Sequence, residues 1–190
     1  MTVSSSTLAD PSIATSARPW RGMLSAYLEL AKARLAAMVV LTAVVGFLLG
    51  ARGWSDPAAL FWTAAGTALS AFGANILNQL VERDRDRRML RTRSRPLPSG
   101  RVSSGEAMRW GVASSLAGLA ILAVAANPLT AGLSLLTIVL YVAVYTPLKP
   151  RTPLNTVVGA VVGALPPMMG WAAATGRLEL GAWILGGVLF

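Results

Sequence analysis

Five stretches of this chain are apolar for long enough to cross a bilayer as helices, which leaves few folds open. They run from Leu35 to Ala51, Ala58 to Leu80, Ala107 to Ala126, Leu129 to Tyr145 and Thr156 to Thr175. A spanning helix needs about 20 mostly apolar residues. In hydrocarbon every backbone N–H and C=O must also be satisfied inside the protein. Continuous apolar runs without strand-like alternation select helices over a barrel. The expected fold is all-α, a polytopic transmembrane helical bundle. A sixth apolar run starts at Leu180 and reaches Phe190, only about 16 Å of helix. It is expected to be a truncated span, and the chain a piece of a longer protein.

Charge sets the expected topology. Of the 17 Lys and Arg residues, all but Arg52 and Arg177 lie before the first span, between the second and third or in the first turn of the third (Arg109), or between the fourth and fifth. The positive-inside rule puts those three regions in the cytoplasm. The net charge of +9 is then explained by topology and anionic lipid headgroups, so no nucleic-acid partner is implied. Residues 1–25 are rich in Ser, Ala and Thr and lack a signal peptide's apolar core. They are expected to form a disordered cytoplasmic tail ahead of a transmembrane domain over 26–190. Transit peptides share this composition, so a bacterial cell membrane and a mitochondrial inner membrane both fit.

With no histidine and no cysteine, zinc chemistry, thiolate metal sites and histidine general bases are excluded. Oxygen ligands remain, which points to magnesium. The second apolar run leads into Asn78-Gln79-Leu80-Val81-Glu82-Arg83-Asp84-Arg85-Asp86. Asn78, Glu82 and Asp86 are four apart, so on a helix they fall within roughly 80° of one another, about 6 Å apart along the axis. An amide and two acids on one face at a membrane boundary suit a hard cation and a metal-bridged diphosphate. The alternative is a solvated helix end whose acids pair with neighbouring arginines. Asp84 lies about 160° from Asp86 and is assigned to such surface pairing.

Two further segments belong on the same side of the membrane. Arg91 to Arg101 contains two prolines and a glycine, so no regular helix is expected; its arginines can grip phosphate oxygens with forked hydrogen bonds. Tyr145-Thr146-Pro147-Leu148-Lys149, followed by Arg151, offers a phenol and an ammonium to one anion. An aromatic-belt tyrosine and a snorkelling lysine explain the same pair. Pro166-Pro167, inside the fifth run, predicts a kink, either for packing or to free a carbonyl toward a cavity.

Together these strings resemble the UbiA superfamily of intramembrane prenyltransferases, over roughly Ala26 to Phe190. Asn78, Glu82 and Asp86 match its first aspartate-rich motif, and Tyr145 with Lys149 its tyrosine-to-lysine motif. Arg91 to Arg101 matches a widely shared Arg-Thr-x-x-Arg-Pro-Leu-Pro-x-Gly-Arg string. Asn78-Gln79 with Glu82, Arg151-Thr152-Pro153 with Asn155, and Pro166-Pro167 leading to Gly170-Trp171-Ala172 are most like the branch that farnesylates protohaem IX. The resemblance implies about nine spans, of which this chain has five and part of a sixth, and a second acidic motif beyond residue 190. A piece without that motif is expected to be inactive alone.

The resemblance further implies that a farnesyl group passes from farnesyl diphosphate to a vinyl group of haem B, with Mg²⁺ held by Asn78, Glu82 and Asp86. Tyr145 and Lys149 join these as catalytic residues, and Arg91, Arg95, Arg101, Lys149 and Arg151 bind the diphosphate. A greasy tunnel between helices holds the prenyl tail, and a downstream haem-modifying membrane enzyme is an implied partner. Other functions stay open: the same chemistry on an aromatic quinone precursor, an inactive fragment, or an ion channel or transporter. The last needs ionisable groups at mid-span, and the middles of these runs carry none.

Overall fold

The computed structural model describes residues 20–53 and 56–190, with side chains described from Ser25 onward. All regular structure among them is helical: α1 (Trp20–Leu30), α2 (Ala33–Ala51), α3 (Pro57–Asp86), α4 (Ser104–Ala125), α5 (Pro128–Val139), a π turn (Leu140–Tyr145), α6 (Thr146–Leu148), α7 (Leu154–Thr175) and α8 (Leu180–Leu189). Five helical units are long and apolar enough to span a membrane, with α5, the π turn and α6 forming one of them. The tail expected over 1–25 lies largely outside the described residues, and α1 begins at Trp20, within the stretch expected to be disordered.

Local chemistry explains where the helices start and stop. Asp56 caps α3 by accepting from the Ala58 N–H, with Pro57 in the first turn, where its missing N–H costs nothing. Ser103 and Glu106 form a reciprocal capping box at α4, satisfying two orphan donors. Asn127 caps α5 ahead of Pro128, and Gly176 at φ 72° ends α7. The third helix continues past the expected Leu80 to Asp86. At 30 residues it is about 45 Å long, more than a hydrocarbon core of about 30 Å. Its last turns therefore stand in the membrane boundary, where charge is tolerated.

Small residues set the packing. A Cβ on Gly73 would meet Ser115 Oγ, and one on Gly118 would meet Ser70 Oγ. Helices α3 and α4 touch at backbone distance along this seam, running antiparallel. On the other side, Gly46 lies against the Pro167 carbonyl, and a Cβ on Gly50 would stand 3.2 Å from Trp171 Cα. That register advances in the same direction on both helices, so α2 and α7 are parallel, as first and fifth spans must be. Close approach of this kind drives helix association where lipid competes for every apolar contact. Helix α7 passes through Pro166 and Pro167 without ending. Both prolines are buried; Pro167 packs against Gly46, while the carbonyls that the missing N–H groups leave without helical partners are those of Val162 and Gly163, both of which line an internal cavity.

Burial is inverted relative to a water-soluble protein. Phe61, Leu116, Val124 and Val188 are exposed, whereas Glu82 and Asp86 are only 4% and 3% exposed. The outside is apolar, and the polar interior opens at the end where α1, α3 and α6 meet.

Candidate active site

The polar face of α3 begins inside its apolar stretch with Asn75 and continues through Asn78, Gln79, Glu82 and Asp86, all buried. Asp84 points outward, its side chain 72% exposed and 2.8 Å from Arg83. Asn78, Glu82 and Asp86 share an inward face, as their four-residue spacing on a helix predicts.

Each of the three faces a cation from a different segment. Lys32 Nζ donates to Asn78 Oδ1 at 3.0 Å, Lys149 Nζ lies 3.0 Å from Glu82 Oε1, and Arg95 Nη1 lies 2.6 Å from Asp86 Oδ2. The loop that carries Arg95 is itself tied to the helix end, since Thr92 Oγ1 donates to the Asp86 carbonyl at 2.9 Å. The pairs to Glu82 and Asp86 neutralise acids that are costly to bury alone.

Lys32 reaches this cluster because of an unusual turn. Its backbone is left-handed, at φ 49°, where most residues with a Cβ pay a steric cost. Side-chain amides of α3 hold the carbonyls that α1 leaves unpaired at its C-terminal end: Gln79 Nε2 donates to the Leu30 carbonyl at 2.5 Å and Asn75 Nδ2 to the Ala31 carbonyl at 2.9 Å. The turn is thereby pinned to α3 and Lys32 is aimed at Asn78. Burial pushes the Lys32 ammonium below the ordinary lysine value, with Glu82 acting in the opposite direction.

Behind the cluster lies a cavity of about 530 Å³. Lys32, Asn78 and Lys149 line its polar end, and Met38, Val162 and Met169 are among its apolar lining. Tyr145 also lines it, stacked on Tyr141 with ring centroids 5.7 Å apart. Gly159 makes room for that ring, since a Cβ there would stand 3.0 Å from Tyr145 Cε2. The cavity walls are mostly apolar, in keeping with the greasy compartment that the sequence leads one to expect.

The remaining expected residues are distributed unevenly. Arg95 and Lys149 join the cluster. Arg91 and Arg151 are exposed and absent from the cavity lining. Arg101 pairs with Glu29 at 2.8 Å and donates to the Ser94 carbonyl at 2.7 Å, which fastens the loop to α1. Sequence reading missed Lys32, counted only toward topology, and Thr146, whose hydroxyl receives Asn78 Nδ2 at 2.7 Å. An asparagine at position 75 within an apolar run was a signal for the amide clamp.

The donor set of α3 fits a hard cation. Among the described residues no cluster of three or more acids, histidines or cysteines occurs. Two carboxylates and an amide leave coordination positions for water and phosphate, as magnesium prefers.

Comparison with known proteins agrees with this arrangement. Residues 39–190 match the model of the UbiA prenyltransferase family. The chain is 49% identical to a protoheme IX farnesyltransferase of Anaeromyxobacter sp. (strain Fw109-5), over 86% of this chain and 55% of that protein. It is 47% identical to the mitochondrial protoheme IX farnesyltransferase of Arabidopsis thaliana, over 86% of this chain and 38% of that protein. The chain thus spans between about a third and somewhat over half of these relatives' length. A UbiA homolog from Aeropyrum pernix K1, solved in its apo form, superposes with a TM-score of 0.70 at 26% identity, covering 82% of this chain and 58% of that one. A UbiA homolog from Archaeoglobus fulgidus, solved with GPP and Mg²⁺, superposes with a TM-score of 0.65 at 20% identity, covering 86% and 60%. With its helical order, its inward Asn-Glu-Asp face and a family match over residues 39–190, the chain belongs to the UbiA prenyltransferase family.

Proposed function

We propose that this chain carries the diphosphate-binding part of an enzyme that moves a farnesyl group from farnesyl diphosphate to a vinyl group of haem B, forming haem O. One observation carries the reading: a buried face of two acids and an amide, ringed by three cations, sits at the polar end of an apolar cavity of about 530 Å³. A prenyl diphosphate has the same two-part character, with a highly charged head and a hydrocarbon tail. The haem acceptor is supported by relatives at 47–49% identity that are named for that activity.

Asn78, Glu82 and Asp86 would hold Mg²⁺, which supplies positive charge to the diphosphate as it leaves; the Archaeoglobus homolog that carries Mg²⁺ with GPP supports this choice. The chain's own cations do the rest of the electrostatic work. Lys32, Lys149 and Arg95 exchange their α3 partners for phosphate oxygens and stabilise the charge that develops there. The allylic C–O bond breaks with its electron pair passing to the diphosphate. The Tyr145 ring, which lines the cavity, stabilises the allylic cation electrostatically. Apolar walls keep water away until the vinyl carbon has formed the new C–C bond. Water then adds to the resulting cation beside the porphyrin ring, loses a proton and leaves the hydroxyl.

The polar end faces the cytoplasm (or the mitochondrial matrix) by the bias of basic residues, in an integral, multi-pass arrangement. The product is a substrate for a further haem-modifying membrane enzyme. The test is conversion of haem B by the full-length enzyme in membranes with farnesyl diphosphate and Mg²⁺, read by chromatography of extracted haems. Haem O is expected. Prenylation of an aromatic quinone precursor, with no haem product, overturns the assignment.

A further inference from the structure

The π turn before Pro147 creates a hydrogen-bond chain whose direction is fixed atom by atom. Thr146 is fully buried. Its backbone N–H bonds to the Tyr141 carbonyl five residues back, and its hydroxyl donates to the same oxygen at 2.7 Å. A hydroxyl has one proton to give. With that proton committed, Oγ1 meets Asn78, 2.7 Å away, only as an acceptor. The amide must therefore turn Nδ2 toward Thr146. Its oxygen then faces the other way, where Lys32 Nζ lies at 3.0 Å.

This direction matters because the three α3 side chains are chemically unequal. Glu82 and Asp86 present oxygen to a cation whichever way they rotate. An amide presents oxygen on one side and N–H on the other. Turned over, Asn78 would aim its N–H groups at an ammonium or metal ion and its oxygen at the lone pairs of Thr146. The π turn supplies the acceptor that prevents this. In a regular α-turn the Thr146 N–H would reach Val142, and Pro147 offers no N–H to Ala143 and crowds that carbonyl. The wider turn shifts both Thr146 donors to Tyr141, a local irregularity of the kind that accumulates at functional sites.

We propose that Thr146 is a positioning residue that locks the Asn78 amide with its oxygen toward the cation site, making Asn78 a metal ligand and not a repelling group. The inference rests on the assignment of Asn78, Glu82 and Asp86 to Mg²⁺. Partners that orient ligands in this way are typically worth 10–100-fold in metal affinity.

The test uses Mn²⁺ as a spectroscopic stand-in, titrated by electron paramagnetic resonance into the full-length enzyme with inorganic diphosphate. Thr146→Val, which keeps the shape and removes the hydroxyl, should weaken Mn²⁺ binding by about tenfold; Thr146→Ala serves if the valine protein does not fold. Thr146→Ser should stay within about twofold, because it retains the acceptor. In an Asn78→Asp background the valine change should lose its effect, since a carboxylate has oxygen on both sides. Unchanged Mn²⁺ affinity in Thr146→Val, with clear weakening in Glu82→Ala, overturns the positioning role and leaves the metal site standing. An equal loss in the Asn78 and Asn78→Asp backgrounds means a general packing role and also overturns it. No effect from either Thr146→Val or Glu82→Ala removes the metal assignment itself, and the proposal with it.

Discussion

Asp84 and Asp86 stand two residues apart on α3, the side chain of one 72% exposed beside Arg83 and that of the other 4% exposed against Arg95. In the full-length enzyme, Glu82→Ala and Asp86→Ala should each lower haem O formation by on the order of a hundredfold or more, the scale of losing a preorganised charge partner. Asp84→Ala should change it by less than about threefold, since exposed pairs contribute little. Equal losses at all three would mean a diffuse charge cluster in place of a facial site. Lys32 permits a cleaner substitution than most buried cations. Because its φ is 49°, Lys32→Gly removes the charge while easing the backbone. Thermal stability in detergent should hold, whereas turnover should fall about tenfold or more, the scale of lost electrostatic stabilisation. Wild-type turnover in this variant would remove Lys32 from the chemistry.

Among the elements, α3 carries both the site and a close-packed seam with α4. Its seam with α4 has no room for added atoms: a Cβ at Gly73 would meet the Gly111 carbonyl at 2.6 Å and the side chain of Ser115 as well. Gly73→Ala should therefore destabilise the protein by about 1–3 kcal/mol, the usual range for overpacking, read as a drop in detergent melting temperature. Gly132 in α5 is the contrast, since a Cβ placed there would find nothing within 4 Å. Gly132→Ala should be neutral or raise stability by up to about 1 kcal/mol, through helix propensity alone. A Gly73 variant as stable as the Gly132 variant would show that the seam is looser than its geometry.

At the scale of the whole molecule, the spans alternate in direction, and this alternation brings Lys32, the α3 terminus, the Arg95 loop and Lys149 to one end. Cysteine introduced at Ser99 should react with an impermeant thiol reagent from the cytoplasmic side, and cysteine at Arg177 from the opposite side. The chain has no native cysteine to interfere, and both positions are exposed. Reaction of both from one side would separate the proposed motifs and remove the common site. The same alternation leaves an apolar outer surface, with Phe61 at 61% and Val124 at 88% exposure.

The sequence by itself determined the spans, because a run of apolar residues can satisfy its backbone in a membrane in essentially one way. It also determined the shared face of Asn78, Glu82 and Asp86, and the outward turn of Asp84, because both follow from the 100° step of a helix. Tertiary structure decided which distant residues meet that face. Arg95 and Lys149 arrive there while Arg91 and Arg151 stay at the surface and Arg101 is held by Glu29. Residue type cannot separate five cations of like chemistry; the path of the loop does. Lys32 and Thr146 were hidden for a related reason. One depends on a left-handed turn pinned by Asn75 and Gln79, the other on a π turn that redirects a hydroxyl. The left-handed turn is held by contacts 44 and 49 positions apart, and Thr146 meets Asn78 across 68 positions; no local periodicity records either meeting.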